Sequence, residues 1–388
     1  VSDSVRITVR LIDPETEGTR WAEDYTRELT AANLFGVTRD VAEQVANDLR
    51  LALSAQEQER LAATPTEDTR AYRLYLEGRY FWNQRTAAAL SRSVELFSQA
   101  VERDPQFALA HAGLADAYLM LLSYGGLPAN QAIPMVRAAA LRALEIDSTL
   151  AEAYTSLAYS GTFDREWSTA EQHYQTAIRW KPDFATAHQW HGWHRAFLGG
   201  LAAARDEFER AIELDPLPLI INTDYGAILS MLQEYDAAIS QLSRVLELDP
   251  DFVRAHNRLG QAYVGKGMFE QAIAQFRRGL ELSGGAPRFL GRLGHASAVS
   301  GDRAEAQRLL GMLMELVAQG DFVAFDVALV HTGLGDTDAA LVWLERAIEE
   351  GRVSVPGLRF RPWFASLRSD ARFQGLLRRM NLPDQGGF

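Results

Sequence analysis

Three histidines, His188, His191 and His194, are interleaved with Trp190 and Trp193 and form the sharpest local group of potential metal ligands in the chain. Histidines three residues apart can share a helix face and, where they converge, a zinc ion. Helical geometry argues against that here, because residues 188 and 194 diverge by about 240° around a helix of 3.6 residues per turn. Gly265-Lys-Gly267 is the nearest approach to a phosphate-binding string, but it lacks the spacing and the preceding strand and reads as a turn between helices. Asp336, Asp338 and the scattered glutamates make no paired-carboxylate pattern, and no serine or lysine sits in a nucleophile motif. With no cysteine, disulfide, thiolate-metal and cysteine-nucleophile chemistry is excluded. These residues predict no catalytic residue, no metal site and no cofactor.

The elements that carry these side chains follow a repeat. Pro105, Ser148, Pro182, Pro216, Pro250 and Gly284 close successive helical segments, and every interval after the first, which is 43, is 34 residues. A fixed period of this size predicts a solenoid built from one supersecondary unit. Residues 253 to 286 show the unit most clearly: Leu259, Gly260 and Tyr263 fall on a first helix, Ala272 and Phe276 on a second. Gly260 and Ala272 are small where two helices must approach closely, and Leu259, Tyr263 and Phe276 fill the space beside them.

This pattern resembles the tetratricopeptide repeat. The resemblance implies an all-α, right-handed superhelical solenoid of about eight helical hairpins, with units 74–107, 108–150, 151–184, 185–218, 219–252, 253–286, 287–320 and 321–354. Position 8, the tightest contact in that family, reads Phe81, Ala115, Ala158, Gly192, Gly226, Gly260, Gly294 and Ala328; position 24 reads Phe97, Ala140, Tyr174, Phe208, Leu242, Phe276, Leu310 and Leu344. His111, His188 and His256 all occupy position 4, which makes this histidine a recurrent packing residue. The second unit is nine residues too long, and Ser123-Tyr-Gly-Gly-Leu-Pro-Ala-Asn130 reads as a loop between its two helices.

The two ends differ from the array. Residues 1–62 read as a small α+β appendage. Val5, Ile7, Val9 and Leu11 alternate with polar residues, Thr19, Trp21, Glu23 and Tyr25 form a returning strand, and Val37, Val41, Val45, Leu49 and Leu53 give a helix an apolar face. Val5 to Pro14, Trp21 to Tyr25 and the helix from Phe35 resemble the second half of a TolB-like amino-terminal domain, and the likeness extends into Tyr75 to Trp82 and Asp164 to Trp167. In that bacterial family the half domain precedes repeat arrays, often downstream of winged-helix, nucleotide-cyclase or protein-kinase domains. Residues 63–73 are expected as a linker, and residues 355–388 as a tail whose amphipathic helix, 361–380, caps the last hydrophobic face.

A formal charge of -12 argues against nonspecific attraction to nucleic acid or anionic membranes, and no apolar run of membrane-spanning length occurs. Function is therefore expected on a surface. In the resembled family the groove is lined by positions 2, 5, 9 and 12 of each first helix, with position 6 nearby. Tyr75, Trp82, Tyr159 and Trp193 would offer aromatic faces to apolar or proline-rich segments; Arg254, Asn257, Arg258, Gln261, Arg288, Arg292 and His295 would offer donors to an acidic or carboxylate-bearing end. The expected function is a non-catalytic scaffold binding a protein or peptide within a bacterial signalling or regulatory protein. The alternative is a structural protein assembling into oligomers or filaments through its solenoid ends and open hairpin edge. A start at Val1 rather than Met suggests a missing upstream segment. The cytoplasm is favoured, with an extracellular setting if the chain is a processed structural protein.

Overall fold

The structure is a computed structural model describing residues 4–12, 18–28, 31–48, 65–123, 126–350, 358–360 and 362–379. It is a helical solenoid with a small amino-terminal appendage, and the chain divides into two compact units, Val1–Asp164 and Arg165–Phe388.

In the first unit, β1 (Ser4–Ile12) pairs antiparallel with β2 (Thr19–Glu28), with Ile7 opposite Tyr25 and a register irregularity between Leu11 and Ile12. One face is polar: Asp24 accepts from Thr8 and pairs with Arg6. Tyr25 on the other face is buried, as are Val37 and Ala46 of helix α1 (Ala31–Asp48). The helix forms where the fourfold spacing placed it, whereas Leu49 and Leu53 lie outside the described residues. Hairpins α2 (Thr69–Asn83) with α3 (Ala87–Arg103) and α4 (Ala108–Ser123) with α5 (Ala129–Ile146) follow, then α6 (Ala151–Phe163). Helix α2 starts at Thr69, inside the stretch expected as a linker, because Asp68 caps it by accepting from the backbone N–H groups of Arg70 and Ala71.

The second unit runs through α7 (Trp167–Trp180), α8 (Ala185–Phe197), α9 (Leu201–Leu214), α10 (Leu219–Met231), α11 (Tyr235–Leu248), α12 (Val253–Gly265), α13 (Phe269–Leu282), α14 (Pro287–Ser300), α15 (Arg303–Ala318), α16 (Ala324–Leu334) and α17 (Thr337–Glu349). The close-contact logic of the repeat holds through most of it. A Cβ on Gly192 would lie 2.7 Å from the Phe208 ring, and one on Gly226 2.6 Å from Leu242. Gly260 meets Phe276 in the same way. The first repeat differs from the sequence frame: the α2 residue in closest contact with the Phe97 ring is Gly78 rather than Phe81, and Gly113 of α4 meets the same ring. Helix α3 has 17 residues, three more than α11 or α13, so the preceding helix is set back by nearly one turn.

Position 4 supplies a second repeating device. His111, His188 and His256 each donate Nε2–H to the carbonyl six residues back, at Pro105, Pro182 and Pro250, with separations of 3.1, 3.1 and 2.8 Å. The Asn222 side-chain amide donates to Pro216 at 2.9 Å and the Tyr154 hydroxyl to Ser148 at 3.2 Å. In each case the acceptor is the residue that closes the preceding helix pair. The bond satisfies a carbonyl at the junction and fixes the angle at which the next helix leaves it.

The carboxyl-terminal segment is not one continuous helix over 361–380. A distorted 3-10 stretch (Pro362–Leu367) precedes α18 (Ala371–Arg379). Trp363, Phe364, Leu367, Phe373 and Leu376 are buried in one cluster with residues of α13 to α17, which closes the last hydrophobic face.

Candidate functional site: the inner face of the first helices

The histidine group is enclosed. His191 is 3% exposed and held from both sides: Nε2 lies 3.0 Å from Glu171 Oε2 on α7, and Nδ1 lies 2.9 Å from Glu207 Oε1 on α9 in an ion-pair contact that is not aligned as a hydrogen bond. Arg195 donates to Glu171 at 2.7 Å, Gln175 donates to it at 2.8 Å, and His188 Nδ1 lies 2.7 Å from Glu207 Oε2. Burial opposes charge on His191, but the two carboxylates outweigh it and raise its pKa. Burial also opposes charge on Glu171 and Glu207, yet their histidine partners bring both down to about 2, with Arg195 adding to the effect at Glu171. His194 is driven by burial to about 4 and is neutral near pH 7. The group is an internal salt-bridge cluster joining three helices. Among the described residues, no group of His, Asp and Glu has an arrangement that could hold a metal ion.

In the first unit, Trp82 is buried and lies beneath two guanidiniums, with the Arg85 and Arg79 carbons 3.5 and 4.2 Å from its ring centroid. It therefore offers no exposed face, contrary to the expectation. Tyr75 packs against Phe97 and Phe107, with centroids 5.7 and 5.3 Å away, and burial raises its pKa to about 12. Tyr159 is partly exposed and sets its ring against Phe163. Arg79 donates to Asp116 at 3.0 Å and Ser156 donates to the same carboxylate, so Asp116 ties α2, α4 and α6 together.

The second unit repeats this arrangement around Asp224 on α10. The buried Asp224 carboxylate accepts from Gln189 at 2.9 Å, from Trp193 Nε1 at 2.8 Å and from Arg254 at 2.8 Å. Burial acts to raise its pKa, but Arg254 first and Arg258 second more than offset this and lower it. Trp193 is consequently buried and pinned by its N–H, and Arg254 is engaged within the chain. Arg258 is 8% exposed and stands 5.6 Å from the Trp193 ring centroid.

Further along, expectation and structure diverge most. His295 is buried, with Nδ1–H donating to Leu329 O at 3.0 Å and the Trp363 ring meeting it edge-on at 4.8 Å; burial lowers its pKa to about 4. Arg292 is buried too, lies 3.9 Å from Asp326 and has its pKa brought down to about 10 by burial. His295 thus lies beneath the chain's own carboxyl-terminal segment, and Arg292 faces Asp326, so neither presents donors to solvent. Arg288 is exposed and Asn257 is partly exposed. Sequence reasoning missed Asp224, Asp116 and Trp363. The first two carried a signal, an acid at an inner-face position, whereas Trp363 lies in a segment with no repeat position.

Helical hairpins in series, with Asp116 and Asp224 each tying inward side chains of several first helices together, define a helical-repeat protein. Residues 226–267 match the family described as TPR repeat, and residues 253–284 match the tetratricopeptide repeat itself. Among curated proteins, the chain is 33% identical over 114 residues to a Rhizobium meliloti protein named for adenylate cyclase 3, and 25% identical over 143 residues to the transcriptional regulator HilA of Salmonella typhimurium. Those matches cover 29% and 37% of this chain but only 19% and 26% of the two relatives. Among solved structures, human IFIT1 aligns with 82% of this chain and 81% of its own, with a TM-score of 0.51 at 15% identity, which shows the shared fold. Among the described residues no helix is long and apolar enough to cross a membrane.

Proposed function

We propose that this chain is a non-catalytic adaptor that holds an extended protein segment against the inner face of its second unit, as part of a larger bacterial signalling or regulatory protein. The observation that carries the reading is the inner face of α8, α10 and α12. Its floor is fixed by the Asp224 cluster, and Arg254 and Asn257 remain partly exposed above it. A rigid, hydrogen-bonded floor with accessible donors suits an extended main chain, whose carbonyls need partners at regular intervals. An acidic or carboxylate-bearing ligand fits the arginines. The cyclase-named and regulator relatives are consistent with a regulatory parent protein, and the TolB-like reading of residues 1–62 belongs to the same proposal.

A peptide array tests it. Binding to the full chain should fall at least tenfold when Arg254 and Arg288 are both replaced by glutamate. Loss of less than twofold would refute the groove reading. The second reading, self-assembly, is favoured by one feature: the sheet has two strands among the described residues, so each has an outer edge without a strand partner there. Light scattering across a wide concentration range separates the two, since a constant 43.2 kDa mass leaves only the adaptor.

A further inference from the structure

Asp116 and Asp224 are saturated acceptors: the first takes hydrogen bonds from Arg79 and Ser156, the second from Gln189, Trp193 and Arg254. Asp326 on α16 stands three 34-residue periods after Asp224, yet none of the corresponding residues donates to it. Gln189 and Trp193 are replaced by Gly291, which has no side chain, and by His295, whose Nδ1–H goes to Leu329 O. Arg254 is replaced by Pro356, which carries no donor. A Cβ on Gly291 would lie 2.6 Å from the Asp326 Cβ, so α14 passes too close for a side chain there. Arg292 approaches no nearer than 3.9 Å, and its Nη1 donates to Arg288 O instead. Among the described residues, Asp326 Oδ1 and Arg292 Nε are both sealed from solvent and without a hydrogen-bond partner.

Resting on the adaptor reading above, we infer that Arg288 and Asp326 recognise a side-chain carboxamide, an asparagine or glutamine of the bound segment. Its oxygen accepts from Arg288 and its NH2 donates to Asp326. A carboxylate withdrawn from water without donors carries a desolvation cost that a donor from a partner relieves. The local charge decides which donor. Arg288 is exposed, takes part in no ion pair among the described residues, and its charge is felt at both Arg292 and Asp326. Two guanidiniums against one carboxylate disfavour an incoming lysine or arginine, while Asp326 disfavours an incoming acid. A neutral amide carries a donor and an acceptor side by side and serves both groups without adding charge. The Asp326 side chain keeps 13% of its surface exposed, so the amide meets it at the solvent edge, where Arg288 also lies. The selectivity is therefore for an amide at this step of the groove, next to the acid preference that Arg254 brings.

The test selects a displayed library of random peptides on the full chain and remakes the enriched peptides, labelled, with each residue changed in turn. One asparagine or glutamine should recur. Changing it to alanine, to the matching acid or to lysine should weaken binding at least tenfold by fluorescence polarisation. On Asp326→Ala the same changes should matter less than twofold. Arg288→Met alters an exposed side chain and should have the same effect, so the inference stays testable if the first variant does not fold. Enriched peptides with no amide requirement, or one that survives in both variants, overturn the inference and leave the adaptor standing; no enrichment on the native chain overturns both.

Discussion

Replacing His191 with glutamine should cost stability near pH 6 and much less near pH 9. The imidazolium sits between Glu171 at 3.0 Å and Glu207 at 2.9 Å. A carboxylate lowered from 4.5 to about 2 gains roughly 3 kcal/mol from folding at ~1.36 kcal/mol per pKa unit. Glu171 faces Nε2 and Glu207 faces Nδ1, so both carboxylates lean on the single positive charge of His191 and the two gains do not add. Breaking a buried pair typically costs ~3–5 kcal/mol, and about 3 kcal/mol is expected here because Arg195 and Gln175 still serve Glu171, and His188 still serves Glu207.

The pH window follows from the signs. The lowered carboxylates contribute stability that is fully present above 4.5 and lost as pH falls towards 2. The raised histidine contributes stability that is present below 6.5 and lost as pH rises through its folded value. The cluster is therefore strongest between 4.5 and 6.5. His194 acts oppositely: with a folded value of about 4, its contribution is present above 6.5 and lost on acidification. The His191 charge helps to keep His194 neutral, so the variant relaxes that term too, and the wild-type-minus-variant difference near pH 6 is read together with the His194 titration. Amide hydrogen exchange along α8 reads the local opening free energy in each protein at pH 6 and pH 9. An equal cost at both pH values, or a His191 ring that titrates below 6.5 by NMR, would refute the reasoning.

Phe276→Ala should destabilise the protein by about 3–5 kcal/mol in denaturant unfolding, because the ring is fully buried between Gly260 and Trp363. A loss below ~1 kcal/mol would mean that the neighbours collapse into the space. His256→Ala leaves the Pro250 carbonyl and the Gln275 side chain without their partner, and should cost about 1–3 kcal/mol, seen as faster exchange at the start of α12. Asp224→Leu removes the acceptor shared by Gln189, Trp193 and Arg254 and should cost about 3 kcal/mol by thermal melting; a neutral result would show that the cluster does not hold the inner face together.

Much of the fold was legible because it is periodic. The proline-marked repeat, the small residue at position 8 and the large one at position 24 are local requirements of two helices in contact, and Gly192, Gly226 and Gly260 meet their partners as that logic demands. Position 4 was readable as a recurrent residue, and its bond to the preceding proline carbonyl gives the reason. The first repeat was misaligned because a three-residue lengthening of α3 changes no residue type, only the phase between two helices.

The candidate site was less legible. A repeat frame states which side chains point inward, but not whether an inward side chain meets solvent or another part of the chain. Trp193 and Arg254 were read as separate groove residues, and only the fold brings Asp224 within hydrogen-bonding distance of both. His295 was read as an exposed donor, yet it lies beneath Trp363, a residue of the segment beyond the eight units. The sequence by itself determined the helices, their pairing and the face each presents, because those depend on spacing within one or two turns. Tertiary structure alone decided where that face stays open and where its charges are already partnered, because burial and charge pairing depend on segments distant in the chain.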